Sequence, residues 1–268
     1  MKNTSRIALV VHGGAGNTKA NEDGCVRAAQ AAFELLSGGR DGLQAVVRAV
    51  VSLEDDPRFN AGSGSIKRSD GSVEMDASLM DSRGRLGAVC GLKKVRNPVL
   101  VAERVVETPH WMLAGEGALQ FARSQGMPEV DPAAQPTAHT RASACDTVGA
   151  VALDSHGHFA VASSTGGSAP ALPGRVGDTP IPGAGFWAGP HGAVALTGVG
   201  EHIVPRMLAR VVYDWIERGM NLREALESGV RLMPREHDVG IIAVTRTDAA
   251  AASNRSMPFH VLASQPYE

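Results

Sequence analysis

The sequence predicts an α+β fold in which two largely antiparallel sheets pack face to face with helices outside. Three observations predict it. Apolar runs of strand length come in pairs, these pairs alternate with pairs of amphipathic helices, and a proline-bearing linker separates the two groups. Single helices between strands would have pointed to a doubly wound parallel sheet. The two halves are not an obvious sequence repeat.

The elements follow in order. Residues 6–11 read as a first strand that ends in His12-Gly13-Gly14-Ala15-Gly16. A helix follows over 22–37, with Val26, Ala29, Ala32, Phe33 and Leu36 on one face and Gly38-Gly39 as its stop. Asp41 is placed to cap a second helix, 42–53, which carries Leu43, Val46, Val47, Val50 and Val51. A glycine-rich loop from Asp55 to Gly64 leads to two strands, Val73 to Met80 and Leu86 to Lys93, joined by the turn Asp81-Ser82-Arg83-Gly84. Asn97-Pro98 starts a short helix through Val106, and Pro109 precedes another that ends near Arg123.

Residues 125–146 contain Pro128, Pro132 and Pro136, small polar residues and no apolar period, and read as a linker. It runs into Thr147-Val148-Gly149-Ala150-Val151-Ala152-Leu153-Asp154, a run that reads as a buried strand. A flexible segment entering a buried strand suits a processing site, while its composition alone favours a plain surface connector. Strands at 158–163 and 193–197 flank a Gly/Pro-rich loop over 166–190. Helices at 201–218 and 222–232, a strand at 239–245 and a weaker one near 257–263 complete the chain.

With 268 residues and 43% hydrophobic content, the chain can bury one sizeable core, and we read residues 1–268 as one domain. A net charge of −2, with acidic and basic residues mixed, offers no basic face for nucleic acid. Cys25, Cys90 and Cys145 are odd in number and lack metal-ligand spacing, so they read as free thiols of a reducing compartment. The apolar run Ile7-Ala8-Leu9-Val10-Val11 is too short for a secretory signal, and no stretch reaches transmembrane length. A cytoplasmic location with no membrane partner is expected.

Several constellations carry chemistry. A hydroxyl at Thr147 becomes a nucleophile with its own base if the chain is cut before it, because an α-amine has a pKa of about 7.7–8.0. Gly174-Arg175-Val176-Gly177-Asp178 puts a guanidinium and a carboxylate on one short loop. They can hold an amino acid's α-carboxylate and α-amine, or form a surface ion pair. Thr197-Gly198-Val199-Gly200-Glu201 offers a hydroxyl and backbone N–H groups at a strand end, suited to an oxyanion hole or to helix capping. Phe59-Asn60-Ala61-Gly62-Ser63-Gly64-Ser65 offers an amide and a cage of carbonyls, or a tight turn. His12 reads as structural. No phosphate loop, nucleophile elbow or zinc motif is legible.

Taken together and in order, these segments resemble one family. They include the His12–Gly16 and Phe59–Ser65 loops, Glu74-Met75-Asp76-Ala77-Ser78-Leu79-Met80-Asp81, Thr108–Gly117, Asp146-Thr147-Val148-Gly149, Ser164-Thr165-Gly166-Gly167, Gly174–Asp178, Gly183-Ala184-Gly185 and Thr197–Glu201. The chain resembles the plant-type L-asparaginase/isoaspartyl peptidases, N-terminal nucleophile (Ntn) hydrolases related to glycosylasparaginase and threonine aspartase. The resemblance implies a four-layer αββα sandwich, the Ntn-hydrolase fold. It also implies self-cleavage between Asp146 and Thr147 into subunits 1–146 and 147–268, and a dimer of αβ heterodimers.

It further implies Thr147 as nucleophile, Thr165 as its hydrogen-bonding neighbour and Asn60 as the active-site asparagine. Thr197 and Gly198 would bind the oxyanion. Arg175, Asp178, Gly198 and Gly200 would hold the aspartyl group of a small-molecule or dipeptide substrate. No cofactor is implied for catalysis. Backbone oxygens of Leu53, Glu54, Asp56, Phe59, Ala61 and Ser63 are candidate ligands of a structural sodium ion. The activity implied is hydrolysis of β-aspartyl amides, in isoaspartyl dipeptides and L-asparagine. Three departures stand out: Asp146 before the nucleophile as in the glycosylasparaginase branch, a short linker, and Glu236-His237-Asp238-Val239-Gly240 where the asparaginase branch has a glycine run. They keep two alternatives in view, an asparagine–glycan amidase and an unprocessed, inactive binding homologue.

Overall fold

The computed structural model describes residues 6–130 and 147–264. The first half contains β1 (Ala8–His12), α1 (Glu22–Ser37), α2 (Gly42–Glu54), β2 (Met75–Asp81), β3 (Leu86–Leu92), α3 (Pro98–Val105), β4 (Met112–Ala114) and α4 (Gly115–Ser124). The second contains β5 (Val148–Leu153), β6 (Phe159–Thr165), β7 (Phe186–Gly189), β8 (Gly192–Gly198), α5 (Gly200–Ile203), α6 (Leu208–Glu217), α7 (Leu222–Arg231), β9 (Val239–Val244), β10 (Ala249–Ser253) and β11 (Phe259–Ala263).

The strands form one seven-stranded sheet, β11-β1-β5-β6-β2-β3-β4, and one four-stranded sheet, β10-β9-β8-β7. All pairings within these sheets are antiparallel except β3 with β4. Helices α1 to α4 cover the outer face of the larger sheet, and α6 and α7 cover the smaller. The expected αββα sandwich is therefore the architecture. The larger sheet interleaves the two halves of the sequence: β1 lies between β11 and β5.

Alternation explains why β5 reads as an unbroken apolar run. Val148, Ala150 and Ala152 face the helices, while Val151 and Leu153 face the other sheet. Both faces are buried, so no polar alternation survives. Helix α1 has the predicted bounds, but its buried face is turned toward smaller residues. Cys25, Ala28, Ala29, Ala32 and Leu36 are buried, and Val26 and Phe33 sit at the edge. Small side chains let a helix lie close on a sheet. Asp41 caps α2 as expected, its carboxylate accepting from Leu43 N at 2.7 Å.

Three strands escaped the sequence pattern. β4 has three residues and merges with the helix expected after Pro109, β7 lies inside the Gly/Pro-rich loop, and β10 is a run of alanines without β-branched residues. The helix expected over 201–218 is broken. Pro205 and the left-handed Met207 (φ 46°) separate α5 from α6. Most of the 125–146 linker, from residue 131 on, lies outside the described residues. Among the described residues no helix is long and apolar enough to cross a membrane.

The layer between the sheets is built from Val10, Val151, Phe159, Val161, Phe186, Ile242 and Val244. Phe159 is fully buried there. Phe159→Ala should cost about 3–5 kcal/mol of stability, seen as a lower urea midpoint at an unchanged slope.

Candidate active site

Thr147 is buried at the mouth of β5. Its backbone nitrogen donates to Thr197 Oγ1 at 3.2 Å, and its own Oγ1 lies 3.3 Å from Thr179 Oγ1. The β5–β6 register pairs Val148 with Ser164, and one step earlier it sets Thr147 opposite Thr165. Thr165 Oγ1 accepts from Gly167 N at 3.0 Å. Asn60, also buried, donates to Gly167 O at 2.7 Å and accepts from Ile66 N at 3.1 Å. Asn60 and Thr165 thus both hold Gly167, while the Asn60 amide oxygen ties the turn to Ile66.

Thr197, near the end of β8, brings the second sheet to the site. Its Oγ1 accepts from Thr147 N and from Ala15 N, each at 3.2 Å. A hydroxyl has two lone pairs, so with both accepting it is its own proton that can be donated. Gly198 follows at φ 149°, where a β-carbon would stand 2.3 Å from Asp238 O. Only glycine suits that backbone. The Ala15 contact gives the His12–Gly16 loop a role that its sequence did not reveal: it secures the hydroxyl on the opposite sheet. The loop is itself held by Gly13 N to Pro258 O and Gly16 N to Ser256 O, at 2.9 and 2.8 Å.

His12 is fully buried beneath Thr147. Burial drives its imidazole down to about 3, against an upward pull from the Thr147 backbone, so the ring is neutral. Its Nδ1 accepts from Gly14 N at 3.3 Å, which assigns the ring proton to Nε2. Gly149 is its strand partner, and a β-carbon there would stand 2.5 Å from His12 Nε2. The imidazole occupies the space that any larger residue at 149 would need.

Arg175 and Asp178 come together over Gly200. A β-carbon at Gly200 would lie 3.0 Å from both Arg175 Nη2 and Asp178 Oδ1. Arg175 presents its fork to Glu201, with Nε and Nη2 each 2.9 Å from a carboxylate oxygen. Glu201 is 60% exposed against 17% for Arg175, so a substrate carboxylate can replace it on the fork. Asp178 is buried, and its Oδ2 has no hydrogen-bond partner among the described residues. Burial pushes its carboxyl up to about 7, opposed by its own backbone N–H and by Arg175. Behind it, burial raises Asp76 to about 6. Buried Arg68 joins this charge cluster, with Nε 3.4 Å from Glu74 and Nη2 donating to Arg175 O at 3.2 Å.

The loop after α2 folds onto its own carbonyls. Ser63 Oγ donates to Glu54 O at 2.7 Å. β-Carbons at Gly62 and Gly64 would meet Glu54 O at 2.6 Å and Phe59 O at 2.0 Å. This tight cradle of main-chain oxygens fits a hard cation. The departure at 236–240 borders the turn that follows β8. Asp238 O accepts from Val199 N at 3.3 Å, and the His237 ring stacks on His202 with centroids 4.1 Å apart. Asp146 and Cys145 lie outside the described residues. Thr179 and Ala15 are the site residues that sequence reasoning missed. The one available signal for Thr179 was its place next to Asp178.

The asparaginase family model matches residues 5–144 and 133–265 of the chain. The isoaspartyl peptidase/L-asparaginases of Macaca fascicularis and Homo sapiens are each 39% identical over 281 residues, covering 94% of this chain and 91% of theirs. The plant-type L-asparaginase of Pyrococcus abyssi is 36% identical over 288 residues, covering 92% of this chain and 93% of its own.

Two outcomes are expected from this geometry. Gly149→Ala should force His12 aside and cost about 1–3 kcal/mol in denaturant unfolding. Asp178 must be ionised to hold an ammonium group, and its raised pKa means that it gains a proton as pH falls through about 7. KM for an amino-acid substrate should therefore rise below that pH, measured by initial rates across a buffer series.

Proposed function

The chain belongs to the asparaginase family, and on that premise we propose that Thr147 is the nucleophile of its reaction. The enzyme hydrolyses β-aspartyl amides, in isoaspartyl peptides and L-asparagine. The observation that carries the assignment is the placement of one residue's nitrogen and hydroxyl among buried hydroxyls: Thr147 N on Thr197 and Thr147 Oγ1 beside Thr179.

The substrate's α-carboxylate takes the Arg175 fork, and its α-ammonium sits against Asp178. The β-carbonyl then points toward Thr197 and Gly198. Thr147 Oγ1 attacks that carbon while the Thr147 α-amine takes the hydroxyl proton. The oxyanion forms against the Thr197 hydroxyl and Gly198 N–H, a contribution of about 2.7–4 kcal/mol per donor. Collapse expels ammonia or a peptide amine, which receives the proton held by the α-ammonium. Water, deprotonated by the same amine, then releases aspartate from the ester.

The free amine requires a cut before Thr147. In the uncut chain the Thr147 hydroxyl attacks the Asp146 carbonyl and water resolves the ester, so one side chain performs maturation and turnover. Residues 1–146 and 147–268 become the two subunits, and two such pairs assemble. Leu53, Glu54, Asp56, Phe59, Ala61 and Ser63 would hold a sodium ion through main-chain oxygens. The ion would supply positive charge to the loop bearing Asn60. A cytoplasmic location accords with thiols at Cys25 and Cys90.

Denaturing mass spectrometry of purified protein should show two fragments, the second beginning at Thr147. Thr147→Ala should remain one chain and release neither ammonia from asparagine nor leucine from isoaspartyl-leucine. An intact, active wild-type chain would overturn the assignment. A parallel assay on glycosylasparagine should be slower than either.

A further inference from the structure

Thr179 is buried and its Oγ1 lies 3.3 Å from Thr147 Oγ1. It is fixed from several sides. Ser78 of β2, itself fully buried, donates to Thr179 O at 2.6 Å. Asp178 O accepts from Ile181 N at 3.0 Å, closing the turn that carries Thr179. Pro180 restricts the Thr179 backbone, and the β-branched side chain has few rotamers. This hydroxyl is held against the reacting oxygen, and it follows directly the residue that takes the substrate's α-ammonium.

We propose that Thr179 is a further catalytic residue whose hydroxyl donates to Thr147 Oγ1, orienting that oxygen for attack and stabilising it when it leaves. The inference rests on Thr147 being the nucleophile. The chemistry fixes the direction of the contact. Thr147 Oγ1 has one proton, and that proton must reach the Thr147 amine, so the hydrogen between the two hydroxyls belongs to Thr179.

In acylation the Oγ1–carbon bond forms, the carbonyl π pair moves onto its oxygen, and the Thr147 proton passes to the amine. The C–N bond then breaks, its electron pair leaves with the departing amine, and the α-ammonium returns the proton to it. In deacylation water adds to the ester carbon and gives a proton to the amine. The carbon–Oγ1 bond breaks and its pair returns to Oγ1. Thr179 donates to that oxygen until the α-ammonium reprotonates it. Thr179 neither gains nor loses a proton over the cycle. Because Asp178 precedes Thr179 in one turn, an occupied ammonium site also steadies the hydroxyl that orients the nucleophile.

The test uses isoaspartyl-leucine and the whole protein, with rates divided by the fraction of chains whose second fragment starts at Thr147. Thr179→Val should lower kcat on the order of 100-fold, the scale of losing one transition-state donor, with KM within about threefold. Thr179→Ser should restore kcat to within about fivefold of wild type. The Ser and Ala variants differ by one oxygen atom and carry the same test if valine disturbs the fold. A Val or Ala variant with kcat within about twofold of wild type would overturn the proposal, as would a Ser variant as slow as Ala, or a loss confined to KM. A wild-type protein that cuts and yet leaves isoaspartyl-leucine untouched would instead fail the underlying reading of Thr147.

Discussion

The Thr197 hydroxyl is where the two sheets meet at Thr147. It belongs to β8 of the smaller sheet, yet it accepts from Thr147 N and Ala15 N, both on extensions of the larger one. Each of these bonds is individually modest, on the order of 1 kcal/mol net. Their positional effect is larger, because the sandwich core sets the separation of the sheets. Aromatic and branched side chains fill that layer at the density of an organic crystal, so Thr197 and Thr147 cannot drift apart without opening it. Rigid strands thereby locate groups that a loop would leave loose.

The proposed substrate end of the site is organised differently. Asp178, Asp76, Arg68 and Glu74 form a buried cluster beside the half-buried Arg175, and among the described residues Asp178 Oδ2, Asp76 Oδ2 and Arg68 Nη1 have no hydrogen-bond partner. Groups of this kind are costly in isolation, and a cluster stays soluble in the interior only while its charges offset one another. Glu201 supplies the exposed counter-charge to Arg175. An incoming amino acid brings one carboxylate and one ammonium, the complement of what the cluster presents. On the proposed reading, binding replaces a solvent-exposed ion pair with a more desolvated one.

Much of the fold was legible because burial imposes simple periods. Helices α1, α2 and α7 announce themselves by their apolar stripes and caps, and β5 by an apolar run too short to span a membrane. What escaped was set by tertiary context. The alanines of β10 become a strand through pairing with β9, and β4 through parallel pairing with β3. At the site, the Arg175/Asp178 spacing and the Thr197-Gly198 pair were readable as chemical types. The hydroxyl contact of Thr179 was not, since it depends on a turn folded beneath β2 and braced by Ser78. The grip of Ala15 on Thr197 joins residues 182 positions apart, a distance at which no local pattern carries information.

The interleaving of the larger sheet governs what a cut before Thr147 would do to the molecule. With β1 flanked by β11 and β5, and β2 paired to β6, the backbone hydrogen bonds crossing between the pieces run along three separate ladders. The smaller sheet lies wholly in the second piece, but the larger sheet is complete in neither, so parting them exposes strand edges on both. The nicked protein is then topologically a single folding unit with an extra pair of chain ends. Parting its chains means unravelling the larger sheet, so dissociation and unfolding become one cooperative event, unlike the separation of subunits joined across a surface.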